Sequence, residues 1–393
     1  MRVALSTLGK FHTFDLAREL HARGALAGIL TGYPRFKLRQ EALPQELIHT
    51  FPYVHTPYMA FLSWQDRMGV YWKEQWEYFD ARTFAAYAAR NLPECDVYVG
   101  LSRTALQAGK KAKQRGARYV CDRGSSHIRT QEQILREEHE RWGLPFSFDP
   151  RVIDAEEAEY READCITVPS QFSYRSFLSQ GISPEKLRLL PYGVDLTRFE
   201  PVGKPATCTF DVLFVGSMSL RKGIPYLTQA FQKMKHPGKT LSFAGTVSQE
   251  LITLLKQKNL WPDEARVLGP LPQSQLKNVM SRSHVMVLPS VEDGFGLVMA
   301  QAMACGCPVL ATHNTGAEDL FTDGREGFIV PIRDVDALAD RMQIFAHRPQ
   351  QRADLGQSAL AKVQSLGGWQ HYGDNAISIY RDLMKSATTV SAI

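Results

Sequence analysis

Six cysteines are spread over 393 residues, with no Cys-x-x-Cys and no His/Cys cluster among them. That spacing excludes the common zinc frameworks and a disulfide scaffold. It points to reduced thiols packed as small hydrophobes, with no structural metal site. No apolar run approaches the roughly 20 residues that cross a bilayer, and Met1 to Ser6 already reads as a strand rather than a leader. A large excess of one charge is missing too: the net charge is +5, divided as +3 over residues 1–199 and +2 over residues 200–393. Neither half is a basic domain, so nucleic acid is not an expected partner. Low-complexity linkers and short repeats are absent. What is present is a 44% apolar, 22% charged chain of ordinary globular composition. It is long enough for two domains and expected in the cytoplasm.

The pattern is strand, glycine-bearing loop, helix, strand, repeated. Arg2–Thr7 reads as a strand, residues 8–12 as a loop, and Phe14–Ala22 as an amphipathic helix ended by Gly24. The loop holds one glycine, Gly9, not the three of the dinucleotide fingerprint, which argues against NAD. Asp96–Gly100, Thr104–Arg115 and Tyr119–Cys121 form a further strand–helix–strand unit, so the sheet is expected to be parallel. The Pro/Gly-rich span Pro201–Pro205 marks a domain boundary. Beyond it, Asp211–Val215 precedes a loop containing Ser217, Arg221 and Lys222 and then a helix, and adjacent cations there suit a diphosphate. A surface charge pair on a turn is the commoner use of such residues.

The most informative stretch is His284–Leu310. Val285–Leu288 reads as a buried strand, Glu292 to Gly296 as a polar turn, and Leu297–Cys305 as a helix capped by Gly306. Free backbone N–H groups at such a helix start suit an anion. Asp293 and Gln301, eight positions apart, are expected on roughly one helical face.

Three other features carry two readings each. Residues 51–80 hold ten aromatics, including Phe61 and Trp64, a third of the segment against a tenth of the chain. They form either the core of a helical subdomain or a wall for an apolar or ring-shaped acceptor. Residues 103–118 contain six basic residues and no acidic one, either a solvated helix face or a docking patch for an anionic membrane. His127, after a strand end, is either a general acid/base or sugar ligand, or a cap for the next helix.

Several segments taken together resemble glycosyltransferase family 4, the retaining nucleotide-sugar transferases. They are Gly9-Lys10-Phe11-His12, Val168–Ser173, Pro191–Asp195 with Arg198-Phe199, Phe214–Gly216 with Arg221-Lys222-Gly223, Leu288–Ser290, Asp293–Leu310 and Glu326-Gly327-Phe328. Their order and spacing cover nearly the whole chain. The resemblance implies an α/β fold of GT-B type, with two Rossmann-like parallel α/β domains facing a central cleft. Residues 1–200 would bind the acceptor and residues 201–368 the donor, with residues 369–393 forming a helix that crosses back to the first domain. The last nine residues look frayed.

The same resemblance implies the site. The family's paired acids fall on Asp293, for the donor sugar hydroxyls, and Gln301, for the ribose. Gly294, Phe295, Gly296 and Leu297 would offer backbone N–H groups to the sugar and distal phosphate, with Glu292 alongside. Lys222 matches the lysine that neutralises the leaving diphosphate, and His127 a histidine beside the reacting sugar. Gly9 matches the glycine that lets the backbone approach the diphosphate. Three positions depart from the pattern: Asp293 is one methylene shorter than the usual Glu, Gln301 is an amide, and Ser217 stands where an arginine is usual, so that Arg221 would supply the second cation.

The implied partners are a UDP-, GDP- or ADP-sugar as co-substrate and an acceptor glycan, lipid-linked saccharide or small molecule. No cofactor or metal is expected, and contact with the inner face of an anionic membrane is a further expectation. The rival readings are a sugar-nucleotide epimerase, which needs no acceptor, and a non-catalytic nucleotide-sugar binding subunit.

Overall fold

The computed structural model describes residues 1–60 and 62–390, and the side chains of these except 62–70 and 386–390. Phe61 and Trp64, counted above in the aromatic segment, lie outside what is described.

The first domain runs β1 (Val3–Thr7), α1 (Thr13–Ala22), β2 (Leu26–Thr31), β3 (Ile48–Thr50), α2 (Pro52–Ala60), α3 (Leu62–Arg90), β4 (Val97–Leu101) and α4 (Leu106–Gln114). It continues β5 (Arg118–Asp122), α5 (Ile128–Trp142), α6 (Pro150–Glu162), β6 (Cys165–Val168), α7 (Gln171–Ser179) and β7 (Leu187–Leu189). Its strands form one seven-stranded sheet in the order β3-β2-β1-β4-β5-β6-β7, every recorded pair parallel. The central strands are buried on both faces, so they are continuous apolar runs such as Val97–Val99.

The second domain runs β8 (Phe210–Val215), α8 (Ile224–Lys233), β9 (Lys239–Ala244), α9 (Gln249–Gln257), β10 (Ala265–Gly269), α10 (Gln273–Arg282) and β11 (Val285–Leu288). Then come α11 (Val298–Ala304), β12 (Val309–Thr312), α12 (Ala317–Leu320), β13 (Gly327–Val330), α13 (Val335–His347) and α14 (Pro349–Ser365). Its parallel sheet has the order β10-β9-β8-β11-β12-β13. In each sheet the order reverses beside the first strand, between β1 and β4 and between β8 and β11. Loops at the carboxyl ends of these strands flank a crevice, which is where doubly wound sheets bind ligands.

The last helix, α15 (Gly368–Val390), belongs to the first domain's core: Tyr372, Ala376, Ile377 and Tyr380 are buried with Val3, Leu5, Phe14 and Leu20. It runs to Val390, into the nine-residue end expected from the sequence to be frayed.

Packing engages part of each of the two ambiguous surface features. In the aromatic segment, Phe51 stacks on Tyr87 with ring centroids 4.8 Å apart, and Arg151 lies 4.0 Å over the Tyr78 ring. Tyr53, Tyr71, Trp72 and Phe79 face solvent, while Tyr58 lines the cleft described below. In the basic run, Arg103 pairs with Glu77 at 3.0 Å, Lys113 with Glu162 at 3.1 Å, and Arg118 with Asp164 at 3.7 Å. Arg115 donates to the Leu92 carbonyl at 2.9 Å. Four of its six cations are thus engaged by neighbouring elements.

Candidate active site

The donor-side loops follow β8 and β11. Gly223, at φ +67, begins α8, and a Cβ there would lie 1.9 Å from the Pro289 carbonyl oxygen. Glycine therefore lets the Arg221-Lys222 turn pack directly on the Pro289–Asp293 loop. Two consecutive ion pairs join these loops. Arg221 Nε donates to Glu292 Oε2 at 2.6 Å, and Lys222 Nζ donates to Asp293 Oδ2. Lys222 and Asp293 line a pocket of about 220 Å³ together with Gly124, Tyr192, Gly216, Phe295, Gly296 and Leu297.

Glu292 is wholly buried, and its oxygens reach across to the first domain. Oε1 accepts from Ser125 Oγ at 2.6 Å, Ser126 Oγ at 2.7 Å and the Ser126 backbone N–H at 3.2 Å; Oε2 accepts from Gln131 Nε2 at 3.1 Å as well as from Arg221. Burial alone would raise its pKa. The Arg221 charge and the two serine hydroxyls outweigh burial and hold the carboxyl well below the usual carboxylate range. Beside it the backbones touch: a Cβ on Gly294 would lie 2.0 Å from the Gly124 oxygen. A second bridge is built on Glu138 of α5, which accepts from Tyr226 at 2.5 Å and from Arg333 Nε at 2.8 Å.

The first domain's side of the crevice is a cavity of about 860 Å³ lined by the loops after β1, β4 and β5 and by α2 and α3. Its wall carries two histidine–carboxylate pairs, His12 Nε2 with Asp122 Oδ2 at 2.6 Å and His55 Nδ1 with Asp80 Oδ2 at 2.8 Å. Tyr58 donates to Glu77 at 2.6 Å on the same wall, and Gly9 lies at its edge. The cations here are each paired: Arg123 with Glu156 at 2.8 Å, Arg103 with Glu77, Arg221 with Glu292 and Lys10 with Glu41. Gly124 and Tyr192 line both this cavity and the smaller pocket, so the two spaces meet there.

Residues 200–362 match the model of the family described as glycosyl transferases group 1. That match falls on the second domain. Among curated proteins, the chain is 29% identical over 199 residues to the putative colanic acid biosynthesis glycosyltransferase WcaL of Escherichia coli, covering 48% of each. It is 29% identical over 260 residues to D-inositol 3-phosphate glycosyltransferase of Saccharomonospora viridis, covering 60% of each. The matches span about half the length of these curated relatives. Among solved structures, sucrose-phosphate synthase from Thermosynechococcus elongatus superposes with a TM-score of 0.73 at 22% identity, covering 98% of this chain and 100% of that one. Anabaena HepE in complex with UDP and glucose superposes with a TM-score of 0.68 at 18% identity over the full length of both chains. These likenesses show a shared two-domain GT-B fold.

Within the second domain, the structure brings Lys222, Asp293, Phe295, Gly296 and Leu297 to one pocket, and Gly294 to its domain-facing edge. Gln301 and Ser217 are not on that pocket's wall. The shared helical face expected for Asp293 and Gln301 does not exist, because α11 begins at Val298 and Asp293 lies in the loop before it. The cause is local: Gly296 sits at φ +75 and the buried Phe295 ring turns in against Tyr192, so residues 294–296 cannot continue a helix. Arg221 lines the larger cavity, with its guanidinium committed to Glu292.

His127 is 3% exposed and caps α5: its Nδ1 accepts the Arg129 backbone N–H at 3.2 Å, and its ring lies between Tyr160 and Phe177. Burial, with the Arg123 charge second, pushes its pKa down to about 4. Tyr58 belongs to the aromatic segment read as a possible acceptor wall, whereas His12, Asp122, His55 and Asp80 carry no individual role in the sequence reading. The available signal was a carboxylate, Asp122, at the carboxyl end of a parallel strand.

Proposed function

We propose that the protein transfers a hexosyl-type sugar from a nucleoside diphosphate sugar to an acceptor hydroxyl, with retention of anomeric configuration in the manner of family 4. The observation that carries this reading is the pairing of Arg221-Lys222 with Glu292-Asp293 at the switch point of a group 1 domain, on a crevice that both domains line. Asp293 is assigned to the donor sugar hydroxyls. Lys222, held by Asp293, keeps further N–H donors for the diphosphate, which gains charge as the anomeric bond breaks. Loop N–H groups of residues 294–297 and the approach at Gly9 complete the donor side, with Gln301 assigned to the ribose. His127 enters as the cap that fixes the Arg123–Ser126 loop. The acceptor occupies the first domain's cavity, where His55, Tyr58 and their carboxylates offer hydrogen bonds to a polyhydroxylated molecule. The reading includes no metal, and places the protein in cell-surface glycan or glycolipid synthesis.

Incubation with UDP-, GDP- and ADP-sugars and an acceptor panel tests this, with nucleoside diphosphate release and the anomeric configuration of the product as readouts. Retained configuration and turnover unaffected by EDTA are expected. Lys222→Ala is expected to raise the barrier by about 2–4 kcal/mol, roughly 30- to 1,000-fold in rate. No release and no nucleotide binding with any donor would end the proposal. Altered sugar configuration without acceptor would favour an epimerase, and binding without turnover a non-catalytic subunit. Liposome co-sedimentation that rises with anionic lipid is the test of peripheral membrane contact.

A further inference from the structure

We infer that the acceptor group entering the first domain's cavity is an uncharged polyhydroxyl unit, a sugar or polyol ring that carries no phosphate and no carboxylate. The inference rests on the transferase reading above. It gives the acceptor a chemical class, which the group 1 match does not assign.

The cations of the cavity wall are already spent. Each holds a carboxylate of this chain: Lys10 with Glu41, Arg103 with Glu77 at 3.0 Å, Arg123 with Glu156 at 2.8 Å, and Arg221 with Glu292 at 2.6 Å. Glu41, Glu156 and Glu292 are buried. An anion that took their cations would leave those carboxylates unpaired and away from water. Two further carboxylates have histidines in place of cations, Asp80 with His55 at 2.8 Å and Asp122 with His12 at 2.6 Å. Arg18, behind Lys10, adds one cation, and Glu41 and Asp15 share it. Carboxylates therefore outnumber cations around the cavity, and an incoming phosphate meets a surplus of its own charge.

The nearby backbone donors are spent as well. A bound phosphate draws on N–H groups, and helix starts are a ready source of them. At the start of α4, beside Arg103, the Glu159 carboxylate takes the N–H groups of Arg103, Ala105 and Leu106. At the start of α5, His127 takes the Arg129 N–H at 3.2 Å, and in the loop before it Glu292 takes that of Ser126 at 3.2 Å.

The wall offers acceptors for hydroxyl protons instead. Asp80 can only accept, so a neutral His55 ring carries its N–H on Nδ1 and a lone pair on Nε2. Nε2 makes no hydrogen bond among the described residues. That lone pair can accept from a sugar O–H and cannot donate to a phosphate oxygen. Glu77, on the same wall, accepts from Tyr58 at 2.6 Å and from Arg103 at 3.0 Å, and a carboxylate has lone pairs for further O–H groups. A ring of hydroxyls satisfies these groups, whereas an anion is repelled by them.

The test uses the full chain at about pH 8, where an ordinary imidazole is neutral. UDP-glucose, GDP-mannose and ADP-glucose serve as donors. The acceptors are matched pairs: glucose with glucose 6-phosphate, mannose with mannose 6-phosphate, and galactose with galacturonate. Nucleoside diphosphate release gives kcat/KM, and calorimetry on the protein saturated with UDP, GDP or ADP gives the affinity for each acceptor. The neutral member should be favoured by about 100-fold over its charged partner. Glu77→Gln keeps an acceptor for Tyr58 but frees the Arg103 charge, so this preference should shrink by about tenfold. A merely structural defect would lower both members alike and leave the ratio unchanged. Should Glu77→Gln fail to fold, Asp80→Asn carries the test, since an amide no longer fixes the lone pair on His55 Nε2 and the preference must shrink likewise. A charged member that binds or reacts as well as its neutral partner, nucleotide binding with no neutral sugar bound, or an unchanged preference in the variants would overturn this inference alone. A wild type that binds no nucleotide and releases none removes the transferase reading and this inference with it.

Discussion

Replacing His127 by asparagine separates its helix-capping role from its titration. Asparagine is a good N-cap and carries no proton at any working pH, so the bond to the Arg129 N–H can be kept while the imidazole is lost. In the native chain the ring is 3% exposed and its pKa is pushed down to about 4, by burial first and the Arg123 charge second. The ordinary value of the unfolded chain is 6.5. Between these values the unfolded state binds the proton and the native state does not. Stability is therefore fully present above about pH 6.5 and is lost as pH falls towards 4. Going from about pH 7.5 to about pH 4.5, this one group should remove about 2 to 3 kcal/mol. Urea unfolding followed by far-ultraviolet circular dichroism at the two pH values reads the loss. His127→Asn should be less stable at neutral pH, through the space left between Tyr160 and Phe177, yet lose about 2 to 3 kcal/mol less on acidification. Equal losses in the two proteins would show that the ring is not held neutral, and the capping argument would fail with it.

Two further perturbations test the frame around the site. Gly294→Ala would place a methyl group 2.0 Å from the Gly124 oxygen, so the domains must part; turnover should fall by about 100-fold, and small-angle scattering should show a larger radius of gyration. Glu159 is 1% exposed and accepts the backbone N–H groups of Arg103, Ala105 and Leu106 at 2.7, 2.6 and 3.2 Å. Glu159→Leu leaves three donors unsatisfied at the start of α4 and should cost about 3 kcal/mol or more in denaturant unfolding.

Parallel strands buried on both faces are apolar runs bounded by glycine or proline. Val285–Leu288 and Phe210–Val215 therefore stand out in the sequence, and so do the loops at their carboxyl ends. Loop chemistry was legible for the same reason: ligand loops lie at strand ends, and Arg221-Lys222 and Asp293 fall there. Helix periodicity failed at residues 293–297. The left-handed Gly296 packs on Leu288 of the preceding strand, and the inward Phe295 ring is set by Tyr192, far away in the chain. Pairing across the fold was equally hidden. His12 and Asp122 are 110 residues apart, and no periodicity links them; they meet because α1 starts beside the carboxyl end of β5. The edge strand β3 has three residues, too short for alternation to register.

Glu292 and Asp293 show why identity and spacing alone could not apportion roles. They are adjacent acids, each paired to one of two adjacent cations; spacing singles out Asp293, eight positions before Gln301, and leaves Glu292 beside it on the donor side. The backbone turn sends their side chains apart. Glu292 enters the domain contact, where two serine hydroxyls, a backbone N–H and Gln131 satisfy it in addition to Arg221. Asp293 stays on the pocket wall with Lys222. A buried carboxylate is tolerable only while its partners surround it, and four of the five hydrogen bonds to the Glu292 carboxylate come from the other domain. Opening the cleft therefore exposes Glu292 to water and releases the Arg221 guanidinium from the Ser125 side. The contact that closes the domains and the loop that meets the donor are thus one residue apart on the same backbone turn. A change in domain angle must alter the placement of Asp293 and Lys222, which couples closure to donor binding through the loop itself.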